Sequence, residues 1–218
     1  MRPHAQSGVA LLVVLVFMLA LTGLGLMSAR LALGGEALAR NQLDHEVAFQ
    51  AAEAALRDAE RDILLPPRAT GVKPAGAVCA RDTDRSSDGI NFTAFRDTCL
   101  RGQCDSDASR GGVRDYASAS SDTAKSGEVW WPTDKGGLWN NAENKGASGN
   151  DCNFNGAVPL GTFTGAPDLV AVARQPEYLI EYTKRENGQR LVFRITARGF
   201  GYRQNSEVVL QSYFLYPE

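Results

Sequence analysis

Four cysteines, Cys79, Cys99, Cys104 and Cys152, are the most reactive side chains in the sequence, and their spacing limits what they can do. The pattern C-x19-C-x4-C-x47-C contains none of the paired C-x2-C knuckles that structural zinc uses, which leaves disulfides as the expected chemistry in an oxidising compartment. Asp151, Asn153, Asn155 and Gly156 follow D-x-N-x-N-G, the first half of a calcium loop, but the twelfth loop position is Thr162 and lacks the bidentate carboxylate. Asp82, Asp84, Ser86 and Asp88 form a second oxygen-rich series. Both series also read as turns in which Asp and Asn cap their own backbone, so calcium is the single cofactor candidate and a weak one. Catalysis has little to work with. Beyond His4 the chain has one histidine, His45, without the partners of a triad or a metal site. No phosphate loop or zinc-protease motif occurs, and the expectation is a protein that is not an enzyme. Trp130, Trp131 and Trp139 could anchor a partner or plug the core beneath a long loop.

These residues hang on an unevenly built chain. The formal net charge of −2 provides no electrostatic footprint for nucleic acid. From Ala5 to Ala29 there is no charged residue, with Arg2 and His4 before the run and Arg30 after it. Val9–Met27 alone, as a helix, spans roughly 30 Å, the hydrocarbon thickness of a bilayer. A secretory signal has a shorter apolar core and a small-x-small cleavage motif, of which Met27-Ser28-Ala29 is a poor version. The run therefore reads as a membrane segment. The short cationic leader puts the rest of the chain outside the cytoplasm. Gly8, at the polar–apolar border, reads three ways: as a loop residue, as part of a signal, or as a processing site.

Helical periodicity continues past the membrane run. Val47, Ala48, Ala51, Ala52, Ala55, Leu56, Ala59 and Ile63 share one face, and Glu53, Arg57, Glu60 and Arg61 lie largely off it. Pro66-Pro67 ends the helix after Leu65, and Gly34-Gly35 is the expected bend. Residues 66–175 are rich in Gly, Ser, Asn and Asp and read as an irregular region stapled by two disulfides. Residues 176–218 recover alternation in "EYLIEYT", "RLVFRITARG" and "EVVLQSYFLY", with Asn187-Gly188 as a hairpin turn between the first two. This predicts an antiparallel three-stranded meander with Tyr178, Ile180 and Tyr182 on one face beside Leu191, Phe193, Ile195 and Ala197. Covering that face with the Val47–Ile63 helix face makes an α+β fold.

Leader glycine, apolar helix, amphipathic continuation, antiparallel sheet and distal cysteines together resemble a type IV pilin-like protein. "NQLDHEVAFQAAEAALRDAE" (Asn41–Glu60) resembles the helix signature of PilX-type minor pilins. "PEYLIEY" (Pro176–Tyr182), "FRITARGFG" and "EVVLQSYF" resemble their C-terminal sheet, and "TCLRGQC" (Thr98–Cys104) their cysteine pair. The resemblance implies residues 1–8 as a prepilin leader, cut after Gly8 by a prepilin peptidase, with N-methylation at Val9. It implies residues 9–29 as the transmembrane and assembly half of the helix and residues 30–65 as its amphipathic half. It further implies a subunit held in the inner membrane with a periplasmic domain, then carried into the pilus at the cell surface. Its partners would be other minor pilins, the major pilin and a pilus-tip adhesin, in an initiation complex that supports twitching motility and attachment. One departure from the wider pilin pattern stands out: mature position five is Val13, where most pilins carry glutamate, an absence shared with PilX-type minor pilins and with the tip-most minor pseudopilin of type II secretion.

Two alternatives remain at this point: a minor pseudopilin of a type II secretion system, and an unprocessed single-pass anchored periplasmic binding or sensor domain. Cys99 and Cys104 bracket four residues that include Gly102, short and flexible enough to close. That favours Cys99–Cys104 with Cys79–Cys152, against a pairing that joins Cys79 to Cys99.

Overall fold

The computed structural model describes residues 9–86, 89–96, 99–105, 152–183 and 192–217. Two compact units divide the chain, the first ending at Leu43 and the second spanning Asp44–Glu218. One helix, α1 (Val9–Ile63), runs through both. In the first unit its backbone remains helical through Gly34-Gly35, the pair expected to bend it. It stops at Ile63, two residues before the expected end. The Leu65 N–H donates to the Asp62 carbonyl at 3.2 Å, so the last turn tightens to an i→i+3 bond before Pro66-Pro67.

The second unit packs the C-terminal part of α1 on a five-stranded sheet. Three long strands, β5 (Glu177–Thr183), β6 (Val192–Phe200) and β7 (Glu207–Leu215), form an antiparallel meander. The sequence expected those three strands; the irregular region supplies two more. β3 (Gln103–Asp105) runs parallel to β5 along residues 180–182, and β4 (Val158–Pro159) pairs antiparallel with the start of β5. The sheet is therefore mixed, in the order β3-β5-β6-β7 with β4 sharing the β5 edge. Strands of two or three residues are too short to show alternation, which is why periodicity could not reveal them. A separate ladder joins β1 (Arg85–Ser86) to β2 (Gly89–Ile90). The Asn187-Gly188 turn lies outside the described residues.

Register places the expected inward face on the helix. Tyr178 pairs with Ala197, Ile180 with Ile195 and Tyr182 with Phe193. Ala55, Ala59 and Ile63 of α1 join Tyr178, Ile180, Phe193, Ile195 and Ala197 in one buried core. Small residues on the helix let the sheet come close: Ala48, Ala51 and Ala52 are buried where β6 reaches Gly199. A Cβ at Gly199 would collide with the Ala48 carbonyl and the Ala52 amide, so only glycine fits that crossing.

Candidate functional site

Among the described residues, the first unit is an apolar helix whose large side chains are exposed. Val9 is 69% exposed, Val13 46% and Phe17 65%, and every large apolar side chain described up to Leu43 is likewise exposed. The polar groups within the run are satisfied locally. Thr22 Oγ1 donates to the Leu19 carbonyl at 2.9 Å and Ser28 Oγ to the Leu24 carbonyl at 3.0 Å. A helix with its backbone bonded internally, its hydroxyls bonded back to its own carbonyls and no acidic residue in the first turn suits hydrocarbon or a bundle of apolar helices. A continuous exposed apolar surface of this size marks an interaction site.

The second unit is tied together by three buried carboxylates that the sequence analysis did not single out: Asp44, Asp58 and Asp62 on α1, each at most 2% exposed. With Ala48, Ala51 and Ala55 they form a run 44-48-51-55-58-62, the alternating 4–3 spacing of a buried stripe. That spacing was the available signal. Each carboxylate holds a different segment. Asp44 accepts the N–H of Tyr202 at 2.6 Å and of Arg203 at 3.3 Å, together with the Ser206 hydroxyl, and so fixes the β6–β7 turn. The Ser206 hydroxyl, aided by these two backbone donors, keeps the Asp44 carboxyl below its ordinary value against the opposing effect of burial. Asp58 accepts the Gly161 N–H at 2.8 Å and the Thr164 hydroxyl, holding the segment after β4. Burial dominates there and pushes its carboxyl up, with Asp62 adding repulsion.

Asp62 is the centre of the third tie. It takes a two-pronged bond from Arg81, Nε to Oδ1 at 2.9 Å and Nη2 to Oδ2 at 2.5 Å, and a hydrogen bond from the Tyr178 hydroxyl at 2.9 Å. Arg85 donates to the Asp62 carbonyl at 2.6 Å and lies 3.6 Å from the carboxylate. Burial alone would raise the Asp62 carboxyl, but Arg81 and then Arg85 outweigh it and hold it low. Tyr178 is pushed well above its ordinary range by burial and by the facing Asp62 charge, so it donates as a neutral phenol. Arg81 reaches on to Asp84 at 2.9 Å and lies over the Phe163 ring, 3.5 Å from its centre.

Two disulfides stitch this region. Cys79 joins Cys152 across a sequence separation of 73, and Cys99 joins Cys104 across 5. The short ring encloses a tight turn in which Cys99 and Arg101 both adopt φ of 53°, outside the ordinary range for side-chain-bearing residues. The turn feeds β3 directly, and Arg101 from it reaches Asp84 at 3.5 Å and the Thr83 hydroxyl at 2.9 Å.

The remaining residues singled out in the sequence scatter. Gly8, Asp88, Trp130, Trp131, Trp139 and Asp151 lie outside the described residues. Asn153 and Asn155 are exposed beside Cys152, while the Thr162 hydroxyl donates to the Pro159 carbonyl at 2.7 Å. Asp82 accepts the Gly71 and Thr83 N–H groups, and Asp84 pairs with Arg81 and Arg101. Among the described residues no three His, Cys, Asp or Glu side chains converge as a ligand set. His45 is exposed on α1.

Two family models match the chain. One, described as type IV pilus assembly protein PilX C-term, matches residues 101–216; the other, PilX N-terminal, matches residues 7–57. Neither the curated proteins nor the solved structures contain a match.

Proposed function

Because the chain belongs to the PilX family of type IV pilus minor pilins, we propose that it acts at the start of pilus assembly, in a minor-pilin initiation complex that carries a tip adhesin and ends at the distal end of the filament. The observation that carries this reading is Val13. It sits in the first turns of an exposed apolar helix, at the position where a filament-repeating pilin presents glutamate. An uncompensated charge among apolar helices costs several kcal/mol, so a glutamate that meets the N-terminal ammonium of the subunit above is a strong docking signal. A subunit with valine there cannot offer that carboxylate and docks poorly beneath another pilin. Its own ammonium, at Val9 after cleavage behind Gly8, still attracts the glutamate of the next subunit. The asymmetry suits a subunit that is inserted first and pushed outward.

The same reading places the uncut protein in the inner membrane through residues 9–29, with the second unit in the periplasm, and makes motility and attachment indirect outputs. Its partners are other minor pilins, the major pilin and an adhesin. Immunogold labelling of wild-type pili tests it: gold confined to one end is expected, and gold spread along the shaft would refute the tip position. Intact-mass analysis of the mature protein tests the processing. A chain that begins at N-methylated Val9 is expected, and a retained Met1 on assembled pili would end that part of the proposal. Gly8→Asp should block the cut and keep the protein out of shed pili.

A further inference from the structure

The two disulfides differ sharply in how a reagent can reach them. Cys99 and Cys104 are both 0% exposed and Cys79 is 1% exposed, whereas Cys152 is partly exposed beside the exposed Asn153. Thiol–disulfide exchange requires a thiolate to approach the attacked sulfur from behind, along the S–S axis, so access to that sulfur decides where exchange occurs. Cys99 and Cys104 are sealed in an apolar cluster with Ala157 and Leu179. The backbone of their turn is held as well: Ile180 N–H donates to the Gly102 carbonyl at 2.8 Å, Gly156 N–H to the Cys99 carbonyl at 2.9 Å, and Arg101 N–H to the Phe154 carbonyl at 2.8 Å. Cys79 faces inward, in the main core with Ile63 and Phe163.

We infer that Cys152 is the site at which thiol–disulfide exchange acts on the folded protein, with Cys79 as its buried resolving partner and the Cys99–Cys104 bond closed to exchange. The reagent is a small thiol or a dithiol oxidoreductase of the oxidising compartment. Its thiolate attacks Cys152 Sγ and a new S–S bond forms there. The Cys79–Cys152 bond breaks, and Cys79 Sγ leaves with the electron pair and takes a proton. The reverse step regenerates the bond: Cys79, deprotonated, attacks the mixed disulfide at Cys152 and expels the carrier as a thiolate. Oxidation follows the same route, with Cys152 attacking the carrier disulfide, Cys79 resolving the mixed species, and the carrier leaving reduced.

Cys79 is kept in place for this step by interactions that do not pass through the disulfide. Its N–H donates to the Thr162 carbonyl at 2.9 Å, and two residues on Arg81 is locked to Asp62. Opening the bond is therefore a local event that leaves the helix–sheet core intact.

The test uses the full-length protein purified from membranes in detergent, titrated with glutathione without denaturant, then acid-quenched, alkylated and mapped by mass spectrometry. A glutathione adduct on Cys152 with a free thiol at Cys79 is expected, while Cys99–Cys104 opens at least about a hundredfold more slowly because it reacts only through a larger opening of the structure. Far-UV circular dichroism should stay native at that stage. In Cys79→Ser, Cys152 should react with maleimide as an exposed thiol; in Cys152→Ser, Cys79 should stay protected until denaturant is added. An adduct on Cys79, prior opening of Cys99–Cys104, or opening of both bonds only together with loss of the native spectrum would each overturn the inference. If either variant fails to fold, the wild-type titration decides alone.

Discussion

Asp62 shows how one side chain organises the second unit. It is fully buried, carries a negative charge, and receives Arg81 from the stretch leading into β1, Arg85 from β1 itself and Tyr178 from β5. Removing one partner of such a buried pair leaves Arg81 and Arg85 with Asp84 as their remaining nearby countercharge, so Asp62→Asn should lower stability by about 3 kcal/mol, read as a shift in the urea midpoint. The pH response follows from the directions of the shifts. Asp62 and Asp44 have folded values below the ordinary carboxylate value. Their contribution is present above the unfolded value of about 3.9 and is lost as pH falls through the lower folded values. Asp58 is shifted up, so its contribution runs the other way: full below the unfolded value and lost as pH rises through the folded one. Asp58→Asn should therefore make acid destabilisation steeper than in the wild type. Thermal unfolding between neutral pH and about pH 3 is the measurement, and a shallower profile would contradict the assignment.

At the scale of elements, the α1–β6 crossing depends on small residues on both sides. Ala48 and Ala52 face Gly199, where an added methyl meets helix backbone and not a side chain that could move away. Gly199→Ala should cost about 1–3 kcal/mol by overpacking, whereas the same change at Gly34, which has open space around it, should be neutral or slightly stabilising. Comparing the two midpoints checks the crossing directly. The disulfides act on different elements. Chain entropy assigns about 4 kcal/mol to the Cys79–Cys152 ring and about 2 kcal/mol to the shorter Cys99–Cys104 ring, from their separations of 73 and 5. The shorter one also holds the left-handed turn that delivers β3 to the edge of β5. Its double serine variant should lose amide protection along Gln103–Asp105 in hydrogen exchange, while β6 and β7 stay protected.

For the whole molecule, the two units carry separable tasks. The second is a self-contained packed domain, and the first exposes a helix that needs lipid or other helices. Val13→Glu should therefore leave unfolding of the second unit unchanged. On the proposed reading it should also relax the restriction to the tip, so that label appears along the shaft in immunogold images. A variant that stays at one end would show that position five does not set the location.

Local pattern, read without coordinates, was enough for the long helix, its apolar first half, the three long strands and the faces on which helix and sheet meet. Each of these is written in a repeat of 2 or about 3.6 residues, long enough to be read from side-chain type alone. The reading of Val13 belongs to the proposal: it rests on the distance from Gly8 and on the resemblance to pilins, not on a repeat in the sequence. Burial of Asp44, Asp58 and Asp62 was not. A carboxylate on a helix reads as solvated until its donors are known, and those donors sit 19 to 162 residues away in the β6–β7 turn, the segment after β4 and the loop that carries Arg81. β3 and β4 were also decided only by tertiary structure. With two or three residues each, they have no periodicity of their own and exist because the disulfides, the turn at Cys99–Cys104 and the edge of β5 hold them in register.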